Sequence, residues 1–160
     1  YSVLSKNRHK IDIIDDLLIS VDIIPNSIVI AQAANESGWG SSRFAKDYNA
    51  FFGEYTYNDS AGIIPKKRKK GKKHLIKYFS SINQCIISYF KNINTHHAYS
   101  EFRKLRKVQK EKYNSFDVYL LLDKLEAYAE DKNYVQTISS IISVNKLKQL
   151  DSIQSLPTNL

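Results

Sequence analysis

One carboxylate, Glu36, stands where a protein could make a proton donor. It lies near the end of an apolar segment, PNSIVIAQAANESGWG (Pro25 to Gly40), in which Ile28, Val29, Ile30, Ala31, Ala33 and Ala34 leave almost no polar face. A helix that is apolar nearly all round belongs inside a protein. Gln32, Asn35 and Glu36 are its exceptions, and their i, i+3, i+4 spacing puts them on one face. Pro25 suits the first helical turn, and Gly38 suits the residue just past the last. Glu36 then occupies the C-terminal turn, where the helix dipole disfavours negative charge. Burial and that dipole both raise a carboxyl's pKa, and a raised pKa fits a general acid. The plainer alternative is a solvated glutamate at a fraying helix end. The apolar helix before Glu36 and Trp39 after it weigh against that alternative.

The elements that would position this residue follow from the pattern of the rest of the chain. Residues 1–10 are polar and read as a loose arm, and Ile11, Ile14, Leu17, Leu18 and Val21 have helical spacing. Ile23-Ile24-Pro25 breaks that helix. Gly40-Ser41-Ser42 reads as a turn into a short helix over 43–46. Asn49-Ala50-Phe51-Phe52-Gly53 reads as a tight turn with aromatic faces beside a groove, although each ring could equally be plain core. From Glu54 to Phe79 the helical period disappears. Tyr55-Thr56-Tyr57, Ile63-Ile64 and Leu75 to Phe79 have strand character, with a turn at Asn58-Asp59-Ser60. This predicts a small β-hairpin lobe. Its connection, KKRKKGKK over 66–73, holds seven basic residues and Gly71. It could grip an anionic polymer or simply be a solvated tip. Beyond it, Ser80-Ser81 caps a helix bearing Ile82, Cys85, Ile86, Tyr89 and Phe90. Residues 94–97 read as a loop, 98–107 as a short helix with Tyr99, Phe102 and Leu105, and 107–115 as a polar linker. Further helices are predicted over 116–125, ending near Tyr128, then over 133–143 and 146–150. Residues 152–160 read as a tail. The chain shows no repeat and reads as one domain over 1–160, with its core at about 10–151.

Composition limits the classes. The chain has 160 residues, 42% hydrophobic and 25% charged, which is ordinary for a folded domain with a real core. No apolar run reaches the length of a membrane span. The sequence starts at Tyr1 with neither an initiating Met nor a signal peptide, so its start carries no information on targeting. A lone Cys85 excludes an internal disulfide, and its apolar helical setting predicts a buried, inert thiol. The net charge of +8 favours anionic partners: nucleic acid, acidic lipid or cell-wall polymer. Adjacent His96 and His97 point in different directions with no third ligand at a regular spacing, and His9 and His74 are isolated. No metal and no cofactor is expected. There is no Gly-rich phosphate loop and no Ser-His-Asp pattern.

The block AQAANESGWGSSRFAKDYNAFFG resembles the signature of the β-N-acetylglucosaminidase domain (glycoside hydrolase family 73-like) of bacterial peptidoglycan hydrolases. Those domains carry A-Q-x-x-x-E-S-x-W-G-x-S followed by N-x-F-G. A second block, YAEDKNYVQTISSIISVNKLKQLD (Tyr128 to Asp151), resembles that family's Y-A-x-D-x-x-Y pattern, apolar helix and N-x-L ending. GIIPKKR and NTHHAYSEFRKLR are closer to the Bax-like subgroup of Gram-negative bacteria.

The resemblance covers about residues 10–151. It implies a mostly α (α+β), lysozyme-like helical domain with a small β-hairpin lobe. It implies cleavage of the β-1,4 glycan backbone at N-acetylglucosamine, with Glu36 as general acid. Tyr134 matches the second Tyr of the Y-A-x-D-x-x-Y block, which in the family faces the catalytic Glu across the cleft. A second carboxylate is less clear. Glu54 and Asp59 are the candidates, but the hairpin strand where the family often has its Glu reads Ile-Ile-Pro-Lys here. The substrate's own acetamido group could replace that carboxylate. Alternatively a single Glu could act as acid then base, as in a lytic transglycosylase or muramidase. Tyr134 is therefore expected to matter more than Glu54 or Asp59. Gln32, Trp39, Asn49, Phe52, Tyr99 and Tyr128 are the candidate substrate-binding residues. The expected partner is peptidoglycan glycan, met by a monomer in the cell envelope, periplasmic or secreted, with no nucleic acid and no transmembrane segment. A non-catalytic wall-binding or nucleic-acid-binding module is the competing class, and the ESGWG block argues against it.

Overall fold

The computed structural model describes residue 14 and residues 17–65 and 73–152. Its centre is helix α1 (Asn26–Ser37), whose Ile28 and Ala31 are closed to solvent while Ile30 on the opposite side is open. The first turn of α1 is held from the far end of the chain. The Ser27 N–H and hydroxyl donate to the two oxygens of Asp151, at 2.8 and 2.7 Å, and Asn26 Nδ2 donates to the Leu150 carbonyl at 2.8 Å. A carboxylate at a helix N-terminus meets both orphan N–H groups and the positive end of the dipole. Pro25 was expected inside that first turn and instead precedes it. Its ψ of 131° is extended, and its carbonyl accepts the Ile28 and Val29 N–H groups. At the other end Gly38 takes the left-handed conformation, φ 58°, which lets its N–H close onto Ala34 and Asn35.

Around α1 lie α2 (Arg43–Tyr48), α3 (Ile82–Thr95), α4 (Ser100–Tyr113), α5 (Val118–Leu122) and α6 (Tyr134–Val144). Short 3₁₀ turns occupy Asp59–Ala61, His97–Tyr99, Asp123–Tyr128 and Leu147–Leu150. Ile28, Tyr89, Ile93, Phe102, Leu121 and Ile138 lie in one shared core. Ser42 and Ser81 cap α2 and α3 by accepting N–H bonds from Ala45 and Gln84. The predicted first helix is helical at residues 14 and 17–20 and has ended at Val21, a bend; residues 11–13 and 15–16 and the 1–10 arm lie outside the described residues.

Helix α4 departs from expectation. Residues 107–113, read as linker, continue the helix. Its buried face is polar: Arg103, Arg106 and Gln109 lie on it beside Phe102. Arg106 donates to the carbonyls of Ile19 and Ile23 and to Asn94 Oδ1, each within 2.9 Å. Arg103 donates to the carbonyls of Ile93 and His96, tying off the end of α3. Burial pulls the Arg106 pKa down to about 10, still charged at neutral pH.

The lobe is a three-stranded antiparallel sheet in the order β1-β3-β2, made of β1 (Tyr55–Thr56), β2 (Gly62–Ile63) and β3 (Leu75–Lys77). The predicted hairpin is β2 with β3, which pair Ile63 to Ile76. β1 adds on the other side of β3, pairing Tyr55 to the same Ile76. Of the basic connection, residues 66–72 lie outside the described residues, as does the tail from 153 onward. The lobe is fixed to α3 by a polar clasp. Lys77 Nζ donates to Ser88 Oγ at 2.6 Å, and Ser88 Oγ donates to Glu54 Oε2 at 2.8 Å. Among the described residues no helix is long and apolar enough to cross a membrane.

Candidate active site

Glu36 ends the polar edge of α1, and three successive left-handed residues follow it: Gly38, Trp39 and Gly40, with φ of 58°, 56° and 73°. A tryptophan at positive φ is strained backbone, which folds keep mainly where function requires it. Here the turn is locked by the Trp39 N–H to Ala34 O, 2.7 Å, and the Gly40 N–H to Ser37 Oγ, 2.7 Å. The outcome is an indole 65% exposed, three residues from Glu36.

The Glu36 carboxylate rests against the chain at Gly53. A Cβ added there would lie 3.1 Å from Glu36 Oε2 and press on the carboxylate, and at φ 63° any side chain would also strain the backbone. Glu36 is half-buried, and burial raises its pKa above the ordinary carboxylate value. The side chains of Asn35 and Tyr134 oppose that rise as hydrogen-bond partners. Asn35 Nδ2 reaches Glu36 Oε1 at 3.3 Å.

Tyr134 opens α6 and is buried. Its ring stacks on Tyr128, 5.6 Å between centroids and 11° between planes, and the Tyr128 hydroxyl donates to the Phe52 carbonyl at 3.0 Å. Its hydroxyl accepts from Gln32 Nε2 at 2.7 Å, and the Tyr89 hydroxyl donates to Gln32 Oε1. Burial, then the Glu36 charge, push the Tyr134 pKa far above the ordinary phenol value, so this phenol keeps its proton. The structure thus brings Glu36, Gly53, Tyr128 and Tyr134 to one place, with the exposed Trp39 three residues along the chain.

Several residues expected to touch substrate do other work. Gln32 is fully buried, one turn deeper than Glu36, and binds Tyr89 and Tyr134. Phe52 is core, stacked on Tyr89 at 4.1 Å. Asn49 caps α2 at φ 51° and spends its amide on the Phe79 carbonyl, 3.1 Å away. Tyr99 is buried, its hydroxyl pushed up by burial. Asp59 sits exposed in the lobe's 3₁₀ turn. Glu54 is different: its side chain is 12% exposed, and burial raises its pKa against the pull of Ser88 and Lys77. Its Oε1 is buried with no hydrogen-bond partner among the described residues.

The buried Cys85 thiol accepts from the Phe51 N–H at 3.4 Å and is pushed up by burial, the opposite of an activated nucleophile. Among the described residues no group of three His, Cys, Asp or Glu could hold a metal. Tyr89 and Asp151 were not singled out in the sequence. The one signal for Tyr89 is a hydroxyl inside an apolar helical stripe, which must find a partner once buried.

Comparison with known proteins places the chain in a family. Residues 12–147 match the sequence profile of the family described as mannosyl-glycoprotein endo-beta-N-acetylglucosaminidase, the glucosaminidase family. Protein bax of Escherichia coli (strain K12) is 37% identical over 119 residues, 74% of this chain and 42% of that protein. The chain therefore aligns with less than half of the length of that relative. The catalytic domain of the autolysin Auto from Listeria monocytogenes superposes with a TM-score of 0.59 at 19% identity, over 92% of this chain and 100% of that domain. At that identity the likeness is one of fold.

Proposed function

The chain belongs to the glucosaminidase family, and from that premise we propose that it hydrolyses the β-1,4 glycan backbone of peptidoglycan on the reducing side of N-acetylglucosamine. One observation carries the reading: a half-buried carboxyl of raised pKa, Glu36, three residues before the exposed Trp39, coupled to a phenol, Tyr134, that keeps its proton. Protonated Glu36 gives its proton to the leaving glycosidic oxygen as the C–O bond breaks. Positive charge then grows at the anomeric carbon and needs a neighbour. Tyr134 holds its proton too tightly to be a base. The substrate's 2-acetamido oxygen can close on the anomeric carbon instead, and Glu36, now a carboxylate, takes a proton from the water that opens the ring. Trp39 and the half-buried Tyr128 are the faces on which a sugar would stack.

A second reading uses two carboxylates, with Glu54 as the second. The buried, unpartnered Glu54 Oε1 favours it. Mass spectrometry of muropeptides released from purified walls tests both the bond and the chemistry. Products ending in reducing N-acetylglucosamine are expected. Anhydro ends would mean transglycosylation, and N-acetylmuramic acid ends a muramidase. An inactive Glu54→Gln would establish the two-carboxylate reading. Salt-sensitive DNA binding without any muropeptide release would leave only a binding module. The proposed setting is the cell envelope, periplasmic or secreted, with the chain acting as a monomer and not on nucleic acid.

A further inference from the structure

We propose that Tyr89, Gln32 and Tyr134 form a one-way hydrogen-bond chain that aims its last proton at Glu36, so that Tyr89 and Gln32 position the catalytic carboxyl without touching substrate. The inference rests on the reading of Glu36 as the acid. An amide nitrogen only donates and an amide oxygen only accepts. Gln32 Nε2 donates to the Tyr134 oxygen at 2.7 Å, so the single Tyr134 proton is free for another acceptor. The acidic group coupled to it is Glu36: Tyr134 draws the Glu36 pKa down, and the Glu36 charge pushes the Tyr134 pKa up. Upstream, the Tyr89 proton is spent on Gln32 Oε1. Turning the Gln32 amide over would reverse everything. Tyr134 would donate to Gln32 and no longer to Glu36, and the fully buried Tyr89 hydroxyl would donate to nothing among the described residues. Tyr89 therefore fixes the amide, and the amide fixes the direction of the Tyr134 proton.

The chain crosses three helices, from α3 to α1 to α6, and returns to α1 one turn beyond its start. Its members cannot drift. Tyr89 and Gln32 are fully buried, Tyr89 is stacked on Phe52, and Tyr134 is stacked on Tyr128. Among the described residues the titratable groups facing Glu36 are Tyr134 on α6 and Tyr128 on the 3₁₀ turn before it. Glu54, next to Gly53, is engaged by Ser88 and Lys77 instead. A donor on Glu36 favours its carboxylate form and offsets burial, which leaves the group able both to release and to recover a proton.

The test is a ¹³C NMR titration of the Glu36 carboxyl in the full chain, assigned by its disappearance in Glu36→Gln. Tyr89→Phe frees Gln32 to turn over, and Tyr134→Phe removes the final donor. Each should raise the Glu36 midpoint by on the order of one pH unit, a tenfold tighter grip on the proton. The alkaline limb of kcat should move up with it, because the acid must be protonated to act. The double variant should add nothing to either single variant, since both open the same chain. An unmoved Glu36 midpoint in a folded Tyr89→Phe, whatever the loss of rate, overturns the proposal, and so does an unmoved midpoint in Tyr134→Phe. Should Tyr89→Phe not fold, the unsubstituted protein decides. Its Tyr134 hydroxyl proton should appear at low field and follow the Glu36 titration, and a resonance indifferent to that titration overturns the chain. The titration is read without turnover. An active Glu36→Gln would therefore sink the catalytic reading alone and leave this one to its own result.

Discussion

Alanine at Gly53 is the sharpest perturbation available, because it probes the seat of the proposed catalytic carboxyl, Glu36, without removing any functional group. Two costs are built into the position. The first is conformational: an L-residue in the left-handed region costs roughly 1–2 kcal/mol. In a domain of this size that lowers the melting temperature by about 2–4 °C for each kcal/mol. The second is local. The new Cβ would lie 3.1 Å from Glu36 Oε2, so the carboxylate must give way by a few tenths of an ångström. If a misplacement of about 1 Å can cost 10²-fold in rate, a few tenths should cost on the order of 3- to 10-fold. Gly38→Ala is the control. Its φ of 58° imposes the same conformational cost, but its Cβ would meet Ser41 Oγ at an ordinary 3.4 Å and no carboxylate. The two variants should melt at similarly lowered temperatures. Only Gly53→Ala should lose rate in clearing a suspension of purified walls, assayed well below either melting point. Equal activity in the two variants at equal melting loss would refute the claim that Gly53 seats Glu36.

Glu36→Gln should lose roughly 10²- to 10⁴-fold in rate yet melt higher than the parent at neutral pH. A carboxyl whose folded pKa is raised contributes its full stability below the unfolded value of about 4.3 and loses it as pH rises through the folded value. Gln mimics the protonated form, so the gap in melting temperature should close in acid, and equal melting at neutral pH would refute this. Replacing several lysines of the 66–73 run with Gln should weaken binding to intact walls, an attraction that salt screens beyond a Debye length of ~8 Å. Cleavage of short soluble fragments should be spared, and equal loss on both substrates would place the run in the catalytic groove. Arg106→Met strands the carbonyls of Ile19 and Ile23 and the Asn94 oxygen, and should cost on the order of 3 kcal/mol or more in denaturant unfolding. Arg106→Lys should recover only part of it, because an ammonium cannot reproduce the guanidinium fork, and full recovery would refute the role given to that fork.

The parts of the fold that could be read from the chain are those whose buried positions are apolar. Helix α1 and its glycine stop follow from six aliphatic residues and Gly38. The strands of the lobe follow from aromatic and β-branched residues. Their order does not, because nothing in the side chains of β1 says that it pairs with β3 rather than with its neighbour β2. Helix α4 was cut short at Lys107 because apolar periodicity is the signal for a buried face, and here that face carries Arg103, Arg106 and Gln109. Their spacing is helical, but their type reads as solvent. Arg106 meets carbonyls more than eighty residues away, and Arg103 and Gln109 meet groups 7–10 residues away across the turns that flank the helix, so all three find their partners only once the chain has folded.

The same physics divides the candidate site. Glu36 stood out as a charged residue closing an apolar helix. Gln32 stood out too, and its shared face with Glu36 was read as a shared role toward substrate. Four residues along an α-helix are about 6 Å of rise, and that separates the half-buried Glu36 from the fully buried Gln32. At the outer end the Glu36 carboxyl is only half-buried, as the proposed proton donor must be. At the inner end an amide is sealed among tyrosines, where it cannot bind a ligand but can hold a hydroxyl in one orientation. Sequence spacing fixes which residues share a helix face. How deep each one lies depends on what packs over that face, in this case Tyr89 from α3 and Tyr134 from α6. The polar residues of such a face therefore split into those that meet substrate and those that aim them, and the division is set by the first side chain that closes over the helix.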